Sequence, residues 1–505
     1  MPSLDASFLA LPAATLADAA LDRARQLGAE HADFRLERVR TGVIRLRDGQ
    51  LEGAAEDAEL GLAVRVVHSG AWGFASGIER TPEAARELAE RAVATARLSR
   101  VLSSVPVELA AEPVHADATW ISSYRLNPFE VPLTDRIARL TELSDRLLAA
   151  DGVDHVQAEF LQVQENKFYA DTAGTVTNQQ RVRVSPEFTA VQVDLAEGGF
   201  STMRTVAPPT GRGWEYLTGT GWDFDAEIAE LPGLLAEHVK APSVRPGRYD
   251  LVIDPTNLWL TIHESVGHAT ELDRALGYEA AYAGTTFATP DKLNTLRYGS
   301  QVMNVTGDRL AEHGLATIGY DDEGVAAQRF DIVSSGVLVG YQLNRQMAQA
   351  YGLGGVHGRS NGCAYADSPS HIPLQRMPNV SLQPDPGGGS TADLIAGVQD
   401  GIYIVGDDSW SIDMQRYNFQ FTGQRFFRIH NGRLAGQLRD VAYQATTTDF
   451  RGAMEAVGGP QTYLLGGAFN CGKGQPSQVA AVSHGCPAAL FRGINVLNTI
   501  SESGR

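Results

Sequence analysis

In TIHESVGHATELD (residues 261–273), His263 is followed at once by Glu264 and, five positions on, by His268. Imidazole nitrogens bind zinc, and a neighbouring carboxylate can take a proton from a water that the metal polarises, so the triplet is a candidate hydrolase site. Its spacing departs from His-Glu-x-x-His, where residues i and i+4 stack on one helix face. At about 3.6 residues per turn, i and i+5 lie roughly 140° out of alignment. An undistorted α-helix would keep the two imidazoles off a single ion. An i to i+5 turn inserts one residue and restores the register, so the sequence predicts a locally widened helix, with Gly267 lowering its steric cost. The bare pattern fits equally two hydrogen-bonded core histidines beside a solvated Glu264, and a third ligand has to decide.

Three residues are candidates for that ligand. Glu271 falls one turn after His268 and could ligate, or accept the other N–H of the imidazole; Asp273 follows it. Cys471, in GGAFNCGKGQPSQ, sits among glycines and beside Lys473, which would favour the thiolate. Two histidines and a cysteine would leave the fourth position of zinc open for water. Cys363 and Cys486 read as inert buried thiols.

The elements that must position these groups are of two kinds. LADAALDRARQLG is an amphipathic helix stopping at Gly28, and TPEAARELAERAVATARL another, with Thr81 as N-cap, Pro82 in the first turn, and Ala85, Leu88, Ala89, Ala92 and Ala96 on one face. Between them, residues 34–74 form an antiparallel meander with Asp48-Gly49 and Ser69-Gly70 at its turns. A second unit brings the helix LTDRIARLTELSDRLLAADG, with Ile137, Leu140 and Leu147 on its apolar side, and strands from Val153 to about Val193. After residue 240 the chain is mostly β, with hairpin turns at Ser335-Gly336 and Asn431-Gly432. TNLWLTIHESVGHATELDRAL stands out there as a helix, with Thr256 as candidate N-cap. The expected fold is α+β: an N-terminal α/β domain with antiparallel strands (1–110), a middle α/β segment packed with it (111–240), and a larger barrel- or sandwich-like domain carrying the metal-site helix (241–505).

Composition narrows the function. With 505 residues the chain is long enough for two or three domains. A net charge of -18 repels a phosphate backbone, so no direct nucleic-acid contact is expected. No apolar run approaches the roughly 20 residues of a membrane span, and the N-terminal residues lack the basic start of a secretory signal. Three cysteines argue against a disulfide framework and fit a reducing cytoplasm.

HESVGHATELD resembles the HExxxH segment of the TldD/PmbA family of metallopeptidases, also described as modulators of DNA gyrase. The resemblance continues through YDDEGVAAQRFDIVSSGVLVGY (320–341), HGRSNGCAYADSPSHIPLQRMPNV (357–380), DGIYIVGDDSWSIDMQRYNFQF (400–421) and NCGKGQPSQ (470–478). It is strongest over residues 240–490 and points to the metal-bearing TldD-type subunit, not the PmbA-type (TldE) partner that lacks the motif. The resemblance implies Zn2+ held by His263, His268 and Cys471, with Glu264 as the catalytic carboxylate. The stretch after the cysteine departs from the family pattern: SHGC adds His484 and Cys486 near a possible metal, and Cys471 is preferred over Cys486 for its NCGKGQ setting.

The implied activity is a zinc metallopeptidase, with zinc-activated water and Glu264 as general base, acting on unfolded or short peptides. Because the histidines must be neutral to ligate, activity should fall in mild acid. An extended peptide would bind by strand addition, with the segments around Tyr403 and Phe419 as candidate edges. The resemblance also implies a dimer, either of two copies or with a TldE-type subunit. Alternatives are a hydrolase maturing one natural-product precursor, and a non-catalytic peptide-binding subunit. The roles of Glu271, Asp273, His484 and Cys486 are left to the tertiary structure.

Overall fold

The computed structural model describes residues 2–103, 105–194, 199–351, 358–474 and 476–502. His357 and Gln475, which belong to two of the matching blocks, lie outside the described residues.

The first sheet is built from very long strands. β1 (His31–Arg47), β2 (Gln50–His68) and β3 (Ala71–Gly77) form the expected meander. Both turns have positive φ at both central residues, 49° and 72° at Asp48-Gly49 and 53° and 69° at Ser69-Gly70, as type I′ hairpins require. β4 (Ala118–Ile121), β5 (His155–Asp171), β6 (Val176–Asp194) and β7 (Gly199–Arg204) follow, and β5 pairs along β1 from Asp171 opposite Asp33 to Gln157 opposite Arg47. Strands from both sides of residue 110 therefore share one seven-stranded sheet.

Alternation along β1 sets what each face meets. Phe34 and Leu36 turn to helices α1 (Ala13–Gln26) and α2 (Pro82–Leu102), and Ile44 and Leu46 to α3 (Leu133–Leu148) and α4 (Phe224–Lys240). The expected apolar face of α2 is buried at Ala85, Leu88, Ala89, Ala92 and Ala96, and Thr81 accepts the Ala84 N–H at 3.2 Å. Asp33, Arg35 and Glu37 turn the other way into buried ion pairs with β2, β5 and the 322–323 turn of the C-terminal half, while Arg45 and Arg47 line a cleft over the candidate site.

The C-terminal half closes into a barrel. Its strands are β8 (Gly247–Ile253), β9 (Asp400–Ile412), β10 (Asn418–His430), β11 (Val441–Thr446) and, after the ribbon β12 (Leu464–Lys473) and β13 (Gln478–Cys486), β14 (Ala489–Asn498). β9 pairs β8, β8 pairs β14, β14 pairs β11, β11 pairs β10, and β10 returns to β9. The Ser335-Gly336 and Asn431-Gly432 hairpins form as expected. Closure overturns one expectation. Tyr403 is flanked by Val252 and Phe427, and Phe419 by Ile412 and Ala445, so neither segment is an edge open to a peptide.

Helix α5 (Pro255–Ile262) leaves β8 at once. Its N-cap is Asp254, which accepts the Thr256 N–H at 3.0 Å, and not Thr256; Pro255 occupies the first turn, where no N–H is needed. Asn257 Nδ2 donates to the Gly406 and Thr422 carbonyls, and its Oδ1 accepts from Tyr443, which ties α5 to three barrel strands. The long helix expected through Leu276 is interrupted. Glu271 is extended and bridges to Gln342, and only Leu272–Ala275 is helical again.

Candidate metal centre

Where α5 ends, residues His263–Gly267 form the widened turn that the spacing predicts, and the His268 N–H bonds to the carbonyl of His263 five residues back. Such a turn releases carbonyls from the ordinary ladder, and side chains capture them. Tyr298 donates to Ser265 O, Thr270 Oγ1 to Val266 O at 2.8 Å, and Gln342 Nε2 to Gly267 O at 2.5 Å. Gly267 itself has φ of −53°, open to any residue. Its lack of a side chain matters for packing: a Cβ would lie 2.6 Å from Met377 Sδ.

The turn brings the rings of His263 and His268 to 4.6 Å between centroids. Cys471 arrives from β12 at a break in register between Ala468 and Cys471, with its Sγ 3.7 Å from His268 Nε2. One ligand atom from each of the three residues lies within 4.8 Å of the others, and all three are buried. Burial, then the neighbouring His268 and His484, hold His263 well below the ordinary imidazole range; burial likewise takes His268 down to about 3. Both rings are thus kept neutral, the form a metal requires.

The surrounding charges differ from what adjacency in sequence suggests. Glu271 is not within the ligand group: its Oε2 accepts from His268 Nδ1 at 2.9 Å, which turns Nε2 toward Cys471. Burial opposes ionisation of Glu271, but Lys473 at 3.2 Å and the bond to His268 override it and hold the carboxyl well below its ordinary value. Lys473 also pairs with Asp273 at 2.9 Å and Glu279 at 3.1 Å, and Asp273 lies in that cluster. The cation on the sulfur is Arg376, whose Nη2 lies 3.2 Å from Cys471 Sγ and 2.6 Å from its carbonyl oxygen. Burial pushes the Cys471 thiol up to about 11, and Arg376 pulls against that. Cys363 and Cys486 point elsewhere, Cys486 Sγ to the Pro255 carbonyl at 3.5 Å, and burial raises both thiols. His484 meets His263: its Nε2 is 2.7 Å from His263 Nδ1.

Glu264 Oε2 accepts from Arg416 Nη1 at 2.5 Å. Burial raises the Glu264 carboxyl, with Arg416 and Trp410 opposing. Glu264, His263, His268 and Cys471 all face a cleft of about 860 Å³ between the first sheet and the barrel. Arg376 and Arg416 were not singled out from sequence, although both lie inside matching blocks, in QRMPNV and DMQRYNF. Spacing gave no sign that they converge here.

Two imidazoles and a thiol at one point, a carboxylate beside them, and a cleft above are the parts of a metal hydrolase mounted on an α+β frame. The family model described as PmbA/TldA metallopeptidase C-terminal domain matches residues 246–498, and that described as PmbA/TldA metallopeptidase domain 1 matches 32–96. The chain belongs to the PmbA/TldD metallopeptidase family. It is similar to a metalloprotease of Methanothermobacter thermautotrophicus, 28% identical over 93% of this chain and 96% of the relative. A zinc metalloprotease TldD homolog of Saccharolobus solfataricus is 21% identical over 94% and 98%. Among solved structures, a putative modulator of DNA gyrase from Thermotoga maritima superposes with a TM-score of 0.75 at 14% identity, covering 95% of this chain and 99% of that one. TldE from Thermococcus kodakarensis gives 0.69 at 14% identity, covering 94% and 98%.

Proposed function

We propose that this chain is a zinc-dependent peptidase of the TldD type, cleaving amide bonds of short or unfolded peptides. The observation that carries the reading is the convergence of His263, His268 and Cys471 ligand atoms within 4.8 Å beside Glu264. Their chemistry fits the metal: nitrogen and sulfur ligands of a tetrahedral zinc stand roughly 3.5 Å apart, close to the 3.7 Å between His268 Nε2 and Cys471 Sγ. When bound, zinc supplies a Lewis acid that polarises a carbonyl and acidifies water.

The protein's own groups do the rest. Glu264 takes the proton of the attacking water and returns it to the departing amine. Arg416 holds its carboxylate in place, and Arg376 supplies the positive charge that a Cys471 thiolate needs. β12 pairs with β13 alone among the described strands, and its residues Leu464 and Gly466–Gly472 line the cleft, so its second edge can accept an extended peptide. We further infer a cytoplasmic dimer, of two copies or with a TldE-type subunit that lacks the motif. Among the described residues, no helix is long and apolar enough to cross a membrane.

The test is Glu264→Gln. It should keep stoichiometric zinc while peptide hydrolysis falls by about 10²–10⁴-fold. Undiminished cleavage would remove Glu264 from the mechanism, and absence of zinc from the wild type would leave a peptide-binding subunit.

A further inference from the structure

His484 stands outside the HExxxH motif and is not one of the three converging ligands, yet it touches one of them. It lies on β13 and is fully buried, stacked on Trp259 with ring centroids 6.2 Å apart and planes 11° apart. Its Nδ1 is 2.8 Å from the carbonyl oxygen of Val380, on a strand (Asn379–Leu382) fixed by pairing with Val305–Asp308. A carbonyl only accepts, so His484 Nδ1 carries the hydrogen and, in the neutral ring, Nε2 is a bare lone pair. His263 Nδ1, 2.7 Å away, must then donate to it. That leaves His263 Nε2 without a hydrogen, the form in which it can ligate together with His268 and Cys471.

We infer that His484 is a positioning residue for the metal, fixing the tautomer and orientation of His263 through a chain from Val380 O to His484 to His263. The inference rests on the metal reading above. It makes the two ligating histidines unequal. His268 donates to a carboxylate, Glu271, and His263 to a neutral imidazole, so His268 is the more basic ligand.

His484→Phe keeps the ring stacked on Trp259 and removes the acceptor; His484→Gln restores an acceptor near the position of Nε2. Zinc affinity, read by competition with a chromophoric chelator, should fall by about 10–100-fold in the Phe variant and largely recover in the Gln variant. The Co2+-loaded proteins should show the same order in their thiolate-to-cobalt absorption. Wild-type zinc affinity in a folded Phe variant overturns the inference while leaving the metal reading intact, and a wild type that takes up no zinc overturns both. Histidine-selective 15N NMR of the zinc-loaded wild type needs no variant. It should place hydrogens on Nδ1 of both His263 and His484, and a hydrogen on His484 Nε2 would overturn the chain.

Discussion

At the scale of single residues, Gly267 shows how a correct expectation can rest on a different cause. A glycine before His268 suggests backbone freedom, yet its φ is ordinary and the constraint is the Met377 thioether where a Cβ would go. Met377 is itself buried, so it has little room to retreat. Gly267→Ala should cost about 1–3 kcal/mol in denaturant unfolding and weaken zinc binding. Adding Met377→Ala should restore zinc affinity, measured by chelator competition, because it clears that space. A double variant no better than the single one would locate the constraint in the backbone. Lys473 carries the same lesson. It stands two positions from Cys471 on the same face of the strand, but the carboxylates of Glu271, Asp273 and Glu279 draw its charge away, and the more distant Arg376 serves the sulfur.

At the scale of elements, the wide turn depends on partners that the helix does not contain. Tyr298 reaches the Ser265 carbonyl from 33 residues away and Gln342 the Gly267 carbonyl from 75. Without them the turn would bury unsatisfied carbonyls and relax toward an α-helix that splays the two histidines. Tyr298→Phe removes one donor and should destabilise by about 1–3 kcal/mol, with a parallel loss of zinc affinity. Loss of stability with zinc affinity unchanged would show that the turn holds its shape without Tyr298. The i to i+5 spacing announced the turn. It could not announce the donors, because nothing local links them to it.

At the scale of the molecule, the cleft exists because the first sheet is held against the C-terminal half by buried charges. Arg65 grips Asp33 Oδ2 with two donors at 2.9 and 2.7 Å and reaches Glu323 at 3.1 Å, while Lys167 and Arg35 meet Asp322. Burial alone would raise the Asp33 carboxyl, but Arg65 overrides it and holds the folded value below the ordinary one. A depressed carboxyl stabilises the fold above its unfolded pKa and loses that contribution as pH falls. Asp33→Asn should therefore cost about 3 kcal/mol near neutrality, since it strands a buried guanidinium, and the gap should close below about pH 4. Urea unfolding of both proteins across pH 3–7 checks this, and a gap independent of pH would sink it. The meander, the amphipathic faces and the hairpin turns were all legible in the sequence, being set by neighbours along the chain. The hairpins also announced a barrel or a sandwich; which of the two forms was set only by closure between strands far apart in sequence, and that closure removed the expected edges at Tyr403 and Phe419.

By itself the sequence determined the donor types, the need for a widened turn and the local elements, because residue chemistry, helical period and turn geometry act over a few positions. Only the tertiary structure decided which groups complete the site. Arg376 meets Cys471 across 95 residues, Arg416 meets Glu264 across 152, and His484 meets His263 across 221. Contacts at such separations follow from how sheet, barrel and ribbon pack around one core, and spacing along the chain carries no record of them.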